Sequence, residues 1–479
     1  MKNFNIKIPN LLFYLLILFL PTQFGKHFFP AFSFVSGVRV DYLSPTLYLT
    51  DILVLFLFIF WIFSKGKFSI FNFQFLIKSK FKNFNFSNIS NSFQISNFKF
   101  QIGLLATIVL IGIFFSNNQA VGWYGLLKLV EFVFLGFYIA GNIKKLNLGI
   151  VLFMLSAGIL LESFLAIFQY VNQGSIDGIF YFFGERTFSS MTPGIANASI
   201  NGELVLRPYG TFSHPNVLAG FLVIAMTLIS SKLKVKSSKF RKSITMVSLV
   251  VGTVALLLTM SRVAILLWLL IASLGFIKFS IFNFQFLIKS KFKNFNFSNI
   301  SNSFQISNFK FQIGLLAVVV FIGGIFWLSP LRFRFSDIKT TDESVVKRQE
   351  LINDSFTMIK SNPIFGVGLN NFLVELPSVH KQTNNVFYLQ PVHNIYLLIL
   401  TQTGMIGLAF FTWFIFKTFK RLKFENSFHP DRIGIKFQIL FIALALGLFD
   451  HYFLTLQQGQ LLFSFALGFC WSNERGNSS

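Results

Sequence analysis

Long apolar runs constrain this chain more than any other feature of its sequence. A helix needs about 20 mostly apolar residues to cross the roughly 30 Å hydrocarbon core of a membrane. Only 12% of the 479 residues are charged and 54% are hydrophobic, whereas about 25% are charged in ordinary soluble domains. The sequence therefore predicts an all-α polytopic membrane protein with about 12 transmembrane helices. The predicted spans are approximately 9–25, 45–63, 102–116, 122–141, 148–171, 216–231, 243–260, 262–277, 311–329, 392–416, 434–453 and 457–472.

The net charge of +24 is distributed unevenly between the segments that connect these spans. With the N-terminus inside, the segments assigned to the cytoplasm carry 28 Lys and Arg and three acids, and the rest of the chain carries 13 and 14. Short cytoplasmic loops retain Lys and Arg, so this distribution predicts that both termini are cytoplasmic. The basic balance then indicates membrane lipids as partners and not nucleic acid. We expect the first span to be a retained helix, since no small-residue cleavage site follows it.

Two long loops are predicted on the outer side, at about 172–215 and 330–391. Long loops in compact proteins are usually functional or disordered. In the second loop, which lies between spans nine and ten, apolar residues recur at near-helical spacing until Asn362 and Pro363. This pattern predicts an amphipathic helix that ends before these two residues. Its apolar residues are Val345, Val346, Leu351, Ile352, Phe356 and Ile359.

An internal duplication interrupts the chain twice. Residues 67–106 recur without a single difference as residues 278–317. Structural repeats diverge and follow the period of a stacking unit, so two identical, distant copies indicate a recently inserted element. Each copy adds five lysines and no acid to a predicted cytoplasmic loop. The alternation of Phe and Asn also admits a β-strand or a basic-aromatic surface anchor.

Metal and disulfide chemistry have little support in the sequence. Cys470 is the single cysteine, which excludes an intramolecular disulfide and a zinc cage built from cysteines. The six histidines show no paired ligand spacing. We therefore expect neither a metal ion nor another cofactor.

Candidate site residues on the outer side begin with the segment Arg207-Pro-Tyr-Gly-Thr-Phe-Ser-His-Pro-Asn216. Pro215 and Asn216 are typical of a helix start, and Ser213 is the expected cap. His214 is therefore interpreted first as a capping and packing residue, and second as a substrate contact. Three arginines remain, namely Arg186, Arg207 and Arg262. Together they suit bidentate phosphate recognition, although any one of them alone would be an ordinary interface anchor.

Two further motifs follow. His393 and Asn394 open the tenth predicted span, and a Gly-x-x-Gly pair, Gly404 to Gly407, follows after nine intervening residues. A histidine at that edge titrates near neutrality and can act as a general base, but an isolated one is more often structural. The glycine pair predicts close approach of two helices. Upstream, Gly366 and Gly368 predict a tight turn that shapes a pocket, and the lysine of a nucleotide-binding loop is missing there.

Charged residues within apolar runs are expensive and are treated first as functional candidates. Lys128 and Glu131 are three residues apart, so they can pair on one helix face, and we expect a structural pair. Glu162, Asp450 and His451 have no partner nearby in sequence. They face either a polar cavity or a packing partner, and their sequence context leaves both open.

Taken together, these motifs resemble those of the O-antigen ligase and polymerase family of membrane proteins. The resemblance covers about 205–410 without the inserted copy. It implies transfer of a glycan from an undecaprenyl-diphosphate carrier to a hydroxyl of a lipid, glycan or protein acceptor, at the outer face of the inner (cytoplasmic) membrane. It also implies catalytic roles for Arg207, Arg262 and His393. Arg348 matches a further arginine of the family's large loop, whereas Arg186 has no firm counterpart in the family. We expect substrate binding by Arg348, Arg186, His214, Asn394, Gly366 and Gly368.

The same resemblance divides the chain into three parts. Residues 1–204 contain the first five helices, 205–416 form the ligase-like core, interrupted by 278–317, and 417–479 contain the last helices. A glycan polymerase of the same family is the alternative enzyme. A transporter or flippase of lipid-linked glycans is the alternative from another class, and it predicts an inverted repeat with interrupted helices. We find no such repeat.

Both copies of the insert should be cytoplasmic and dispensable. In a Cys470→Ser background, the variants Ser87→Cys and Ser298→Cys each carry one thiol. An impermeant maleimide should label these thiols only after the cells are opened. Labelling of intact cells contradicts the topology, and loss of glycan transfer on deleting 78–99 or 289–310 contradicts dispensability.

Overall fold

The fold is taken from a computed structural model of the chain. The structure describes residues 7–64, 107–200, 202–230, 239–273, 324, 343–380, 388–426 and 430–472. Both copies of the duplicated segment lie outside these residues, and so does the ninth predicted span except for residue 324. The predictions made for them therefore remain predictions.

The described residues are mostly helical, as the apolar runs predict. Fourteen α-helices are numbered here in chain order. They are α1 (Ile8–Phe19), α2 (Leu49–Ser64), α3 (107–114), α4 (Gln119–Asn142), α5 (Leu148–Asn172), α6 (Pro215–Ser230), α7 (Lys239–Leu258), α8 (Arg262–Ser273), α9 (Glu343–Ser361), α10 (Phe372–Val379), α11 (Ile395–Asn426), α12 (Pro430–Gly447), α13 (Tyr452–Thr455) and α14 (Gln457–Trp471).

Short strands occur in the connections between helices. The strands pair as β1 with β4, β2 with β3 and β5 with β6. The last hairpin lies in the first predicted outer loop, with Asn197 opposite Leu206 and Ile200 opposite Glu203. The strands are β1 (Gly25–His27), β2 (Phe34–Val35), β3 (Val38–Arg39), β4 (Thr46–Tyr48), β5 (Asn197–Ile200) and β6 (Glu203–Leu206).

Three helices in the described part of the chain are long and apolar enough to cross a membrane, judged by length and composition. They are Gln119–Lys145, Leu148–Asn172 and Ile395–Leu422, at the fourth, fifth and tenth predicted spans. Six shorter apolar helices occupy other predicted spans. The count of 12 spans and their orientation remain predictions. Helix α1 ends at Phe19, before Pro21, which interrupts the first predicted span because proline has no backbone N–H to continue a helix.

The described residues divide into two compact units. The first contains Met1–Leu16, Lys26–Leu135 and Val346–Lys420, and the second contains Ile17–Gly25, Gly136–Val345 and Arg421–Ser479. Each unit is described by itself below.

A buried charge cluster organises the first unit. Lys128 Nζ lies 3.2 Å from Glu131 Oε2, so the predicted pair is confirmed. Its closer partner is Asp51 Oδ2, at 2.7 Å, and the backbone N–H of Tyr48 donates to the same oxygen. All three charged side chains are at most 16% exposed. Asp51 lies 77 residues away in sequence, so a local pattern could not identify it.

Helix α9 in the first unit confirms the predicted helix in the second outer loop. It ends at Ser361, immediately before Asn362 and Pro363. Its buried face differs from the predicted apolar stripe, since Val346 and Phe356 are exposed. The buried residues are Leu351, Asp354, Ser355 and Met358. Polar Asp354 is buried because its carboxylate bonds to a histidine, which the apolar spacing could not indicate.

Helix α6 is the central helix of the second unit. Val217 and all residues from Leu218 to Ile229 are buried, so the helix is enclosed on every side. A helix that is apolar around its full circumference is typical of a fully buried position. Helices α5, α7, α12 and α14 pack against it. The Arg207 segment therefore leads directly into the best-enclosed helix of this unit.

Replacing Lys128 with Met should lower the free energy of unfolding by about 3–5 kcal/mol, because two buried carboxylates lose the cation between them. Denaturant unfolding in detergent micelles measures this loss. The control is Arg39→Met, which breaks an ion pair with Asp41 whose side chains are 58% and 54% exposed. That change should cost less than about 1 kcal/mol. Equal losses in the two variants would contradict the structural role of the cluster.

Candidate functional site

Arg207 is a buried guanidinium at the end of β6. Only 7% of the residue is exposed. Its Nε donates to the carbonyl oxygen of Thr259 at 2.8 Å, and its Nη2 donates to Asn216 Oδ1 at 2.7 Å. Both acceptors are neutral amide oxygens, and together they fix the plane of the guanidinium.

Asn216 links this arginine to Asp450. The Nδ2 of Asn216 donates to Asp450 Oδ2 at 2.8 Å, while Asp450 Oδ1 accepts from the backbone N–H of His451. The carboxylate thus reaches Arg207 through one carboxamide. Asn216 was predicted only as a helix start, and the role of Asp450 was left open. The one sequence feature that pointed to Asp450 was its position as a charged residue at the end of an apolar run.

His214 caps helix α6. Its Nδ1 accepts from the backbone N–H of Asn216 at 3.1 Å, and its ring meets Tyr209 edge to face. This contact agrees with the capping interpretation of His214. The expectation that Ser213 caps the helix was wrong, because its buried Oγ makes no hydrogen bond within the described residues. The longer imidazole reaches the N–H group that the serine was expected to bond.

Two arginines act on the phenol of Tyr209. Burial raises the pKa of Tyr209 above its usual value, and the N–H of Ala196, then the charges of Arg207 and Arg186, oppose this rise. Arg207 is buried, whereas Arg186 is exposed. Both guanidinium groups therefore lie within electrostatic reach of one ring.

The contact of Arg207 with Thr259 also connects it to the predicted Arg262. Thr259 and Met260 form the turn after α7, and Arg262 is the first residue of α8. Met260 has a φ of +53° and packs beneath the β5–β6 hairpin with Ala198. The structure thus places Arg207 in direct contact with the turn that leads into Arg262, which is half-buried.

The environment of Arg207 suits an anion. The arginine bonds to Asn216, the second residue of α6. The N-terminus of a helix carries a partial positive charge and unpaired N–H groups. An arginine adds planar, charge-assisted donors to that field. Arg207 therefore presents, at this end of α6, donors of the type that bind phosphate oxygens.

His393 lies in the first unit, directly before helix α11. It is half-buried, and the following residue caps the helix, since Asn394 Oδ1 accepts from the backbone N–H of Leu397 at 2.9 Å. The cap fixes where the chain enters α11. It thereby fixes the position of the His393 backbone.

Helix α11 is broken at Gly404, which has a φ of +65° and a ψ of −170°. The turn 363–368 fills this break, so the two glycine motifs found in the sequence are in direct contact. Backbone hydrogen bonds run from Val367 N to Thr401 O (2.9 Å), from Gly368 N to Gln402 O (3.0 Å) and from Met405 N to Pro363 O (2.9 Å).

Glycine is required where these backbones meet. A Cβ on Gly404 would lie 2.1 Å from Ile364 O, and one on Gly366 would lie 2.5 Å from Thr401 O. Both residues also have a positive φ. The expectation that Gly404 and Gly407 bring two helices together was wrong. Gly404 admits a turn, and a Cβ on Gly407 would meet Thr403 of its own helix.

Other polar contacts in the first unit were missed from the sequence. The carboxamide of Asn371 both accepts from the N–H and donates to the C=O of Asn118, at 3.1 Å each. His380 Nδ1 lies 2.6 Å from Asp354 Oδ2. Each contact joins residues far apart in sequence or on separate helices. Arg348 is exposed on α9.

The predicted catalytic residues are thus divided between the two units. Arg207 and Arg262 belong to the second unit and His393 to the first. Within the second unit the structure joins Arg207, His214, Asn216 and Asp450 in one network. Within the first it joins the Gly366–Gly368 turn to the helix that follows His393 and Asn394.

Residues 247–412 match the model of the family described as O-antigen ligase. The match covers about a third of the chain and includes Arg262, Arg348 and His393, whereas Arg207 precedes it. No curated protein shows significant similarity to the chain.

The described fold is that of a helical membrane protein with a buried, oriented arginine at the start of a central helix. The segment that matches a family model gives a narrower class of protein. The match over residues 247–412 relates this part of the chain to the O-antigen ligase family, in agreement with the family that the motifs predict. This match supports an enzyme of glycan processing in a membrane.

Asn216 and Asp450 should be energetically coupled. A double-mutant cycle with Asn216→Ala and Asp450→Ala should give a coupling of about 0.5–3 kcal/mol in unfolding free energy, because the two side chains share a hydrogen bond. The control cycle pairs Asn216 with Asn147, which caps the start of α5. Asn147 lies roughly 22 Å along that helix from Glu162, and Glu162 contacts Thr211, five residues before Asn216. The control should therefore be additive. Additivity in both cycles would exclude the link.

Proposed function

We propose that the protein transfers a glycan from an undecaprenyl-diphosphate carrier to an acceptor hydroxyl, at the outer face of the cytoplasmic membrane. The observation that carries the proposal is the fixed guanidinium of Arg207, bonded to Thr259 O and Asn216 Oδ1 at the start of α6. The family match supports the reaction class.

Arg207 and Arg262 bind the diphosphate in this proposal. The bond between the anomeric carbon and the phosphate oxygen breaks, so negative charge grows on the departing diphosphate. Preorganised donors stabilise such charge strongly in a low-dielectric site. Arginine binds phosphate oxygens in pairs, which neutralises the leaving group and holds it in one orientation.

His393 accepts the proton of the acceptor hydroxyl. The hydroxyl oxygen forms the new bond to the anomeric carbon while its proton passes to the imidazole, whose usual pKa suits a general base near neutrality. Attack opposite the departing diphosphate inverts the anomeric configuration. The cap formed by Asn394 holds the chain at this position.

The remaining candidates divide into two groups. His214, Asn394, Gly366 and Gly368 already have structural contacts, so we assign them the task of shaping the site. Exposed Arg186 and Arg348 are free of that task in the contacts described, and we assign them to the diphosphate or the glycan of the donor. In this proposal, contacts of these two arginines with the donor determine which glycan is accepted.

Reconstituted protein tests the reaction. Vesicles containing a glycan on undecaprenyl diphosphate are supplied either with a separate hydroxyl acceptor or with donor alone. Release of undecaprenyl diphosphate together with a glycosylated acceptor identifies a ligase. Longer glycans on the carrier, formed from donor alone, identify a polymerase. Movement of intact donor across the bilayer without cleavage would contradict both and indicate a transporter.

Arg207→Lys and Arg262→Ala should each slow transfer, because loss of an oriented charge-assisted donor costs about 2.7–4 kcal/mol of transition-state stabilisation. His393→Ala should lower transfer 10²- to 10⁴-fold, the usual contribution of a general base, with donor binding retained. The measurements are transfer rate and donor binding in vesicles.

The control for these variants is Arg39→Lys, which changes an exposed arginine. It should transfer at the wild-type rate, and His214→Ala should be less severe than His393→Ala. Wild-type transfer by the His393 variant would remove the base assignment. Wild-type transfer by both arginine variants would remove the diphosphate assignment.

A further inference from the structure

Side chains at the end of helix α5 hold the backbone of the Arg207 segment. Gln169 lies in the last turn, and Gln173 is the residue that ends the helix, in a left-handed conformation with a φ of +52°. Gln173 Oε1 accepts from the N–H of Leu206 at 2.7 Å. Gln169 Oε1 accepts from the N–H groups of Tyr209 and Gly210, at 2.9 and 2.8 Å. The residues on both sides of Arg207 are therefore fixed to α5.

Glu162 lies two turns before Gln169 on the same face of α5. Its Oε2 accepts from the N–H of Thr211 at 2.8 Å, and its Oε1 lies 2.8 Å from Thr211 Oγ1. The residue is fully buried. Among the described residues it forms no ion pair with Lys or Arg. An ionised carboxylate in such surroundings is strongly disfavoured.

The hydrogen count at Thr211 decides the protonation of Glu162. Thr211 Oγ1 lies 2.8 Å from Pro21 O as well as 2.8 Å from Glu162 Oε1. A hydroxyl has one hydrogen, and a carbonyl oxygen can only accept. If that hydrogen goes to Pro21 O, the contact with Glu162 needs a hydrogen on Oε1. An ionised Glu162 would leave one of these short oxygen–oxygen contacts without any hydrogen.

We infer that Glu162 is a neutral carboxylic acid and that, with Gln169, it is a positioning residue for Arg207. Its Oε1–H donates to Thr211 Oγ1, the hydroxyl of Thr211 donates to Pro21 O, and Oε2 accepts from the N–H of Thr211. Every contact is then a hydrogen bond. The positioning role rests on the function proposed for Arg207, whereas the protonation state does not.

Gly210 provides independent support for this arrangement. It has a φ of +59°, and a Cβ at this position would lie 2.3 Å from Glu162 Oε2. The backbone can approach the carboxyl group this closely only because residue 210 is glycine. The glycine at position 210 thus allows the Arg207 segment to pack directly against the carboxyl group of Glu162.

Infrared spectroscopy tests the protonation state. The spectrum of wild-type protein minus that of Glu162→Gln should contain the carbonyl stretch of a protonated carboxylic acid. The band should persist from mildly acidic to mildly alkaline buffer, because the group is shielded from solvent. A carboxylate band in its place overturns the neutral assignment, whatever the enzyme does.

Transfer assays test the positioning role. Gln can donate to Thr211 Oγ1 and accept from its N–H, so Glu162→Gln should retain transfer within about threefold of wild type. Glu162→Leu loses both bonds and should reduce kcat/KM for the donor by roughly tenfold or more. Its KM for the acceptor should be unchanged. Wild-type kcat/KM in the leucine variant overturns the positioning role.

Two further results keep the outcomes distinguishable. If the leucine variant does not fold, Gln169→Leu replaces it, and wild-type kinetics there overturn the role equally. Glu162→Gln that folds but fails to transfer also overturns it, because the neutral group would then not suffice. Wild-type activity of Arg207→Lys, by contrast, would contradict the function proposed for Arg207. It would not affect the infrared test of whether Glu162 is protonated.

Discussion

Every polar backbone group in an apolar chain must find its partner within the protein, and this requirement shapes both units. Regular helices meet it internally, but an interrupted helix or an irregular segment needs outside partners. In the second unit, Gln169 and Glu162 supply acceptors for the irregular backbone after Arg207. In the first, the turn 363–368 supplies partners for α11 where it breaks at Gly404. Candidate functional residues lie close in sequence to both irregular segments, namely Arg207 in the second unit and His393 in the first.

This coincidence has a physical reason. Irregular backbone that is buried is tolerated only where other groups of the protein satisfy its N–H and C=O groups. Such backbone presents oriented groups and side chains that a continuous helix cannot, as Arg207 does between β6 and α6. The partners that satisfy the irregular segment also limit its movement. The hydrogen bonds that satisfy the backbone groups of this segment therefore also orient Arg207.

Local patterns predicted local structure well. The end of α9 before Asn362 and Pro363 and the pair of Lys128 with Glu131 depend on residues a few positions apart. Long-range partners were missed, because Asp51 and Asp450 have no sequence relation to the residues that they meet. The glycine motifs were recognised in the sequence, but the structural reason for them was not. Gly404 admits a turn from another part of the chain, and only the fold shows which one.

Charged side chains in the apolar parts of this chain are compensated in three different ways. Lys128 pairs with carboxylates, and buried Lys436 donates to the carbonyl of Ser472 at the end of α14. Glu162 is compensated by a proton in our inference, so it acts as an uncharged hydrogen-bonding group. Arg207 shares the arrangement of Lys436 in the two contacts described above, since Nε and Nη2 donate to neutral amide oxygens. These bonds fix the plane of the guanidinium, and bidentate binding of a phosphate requires an arginine whose orientation is fixed.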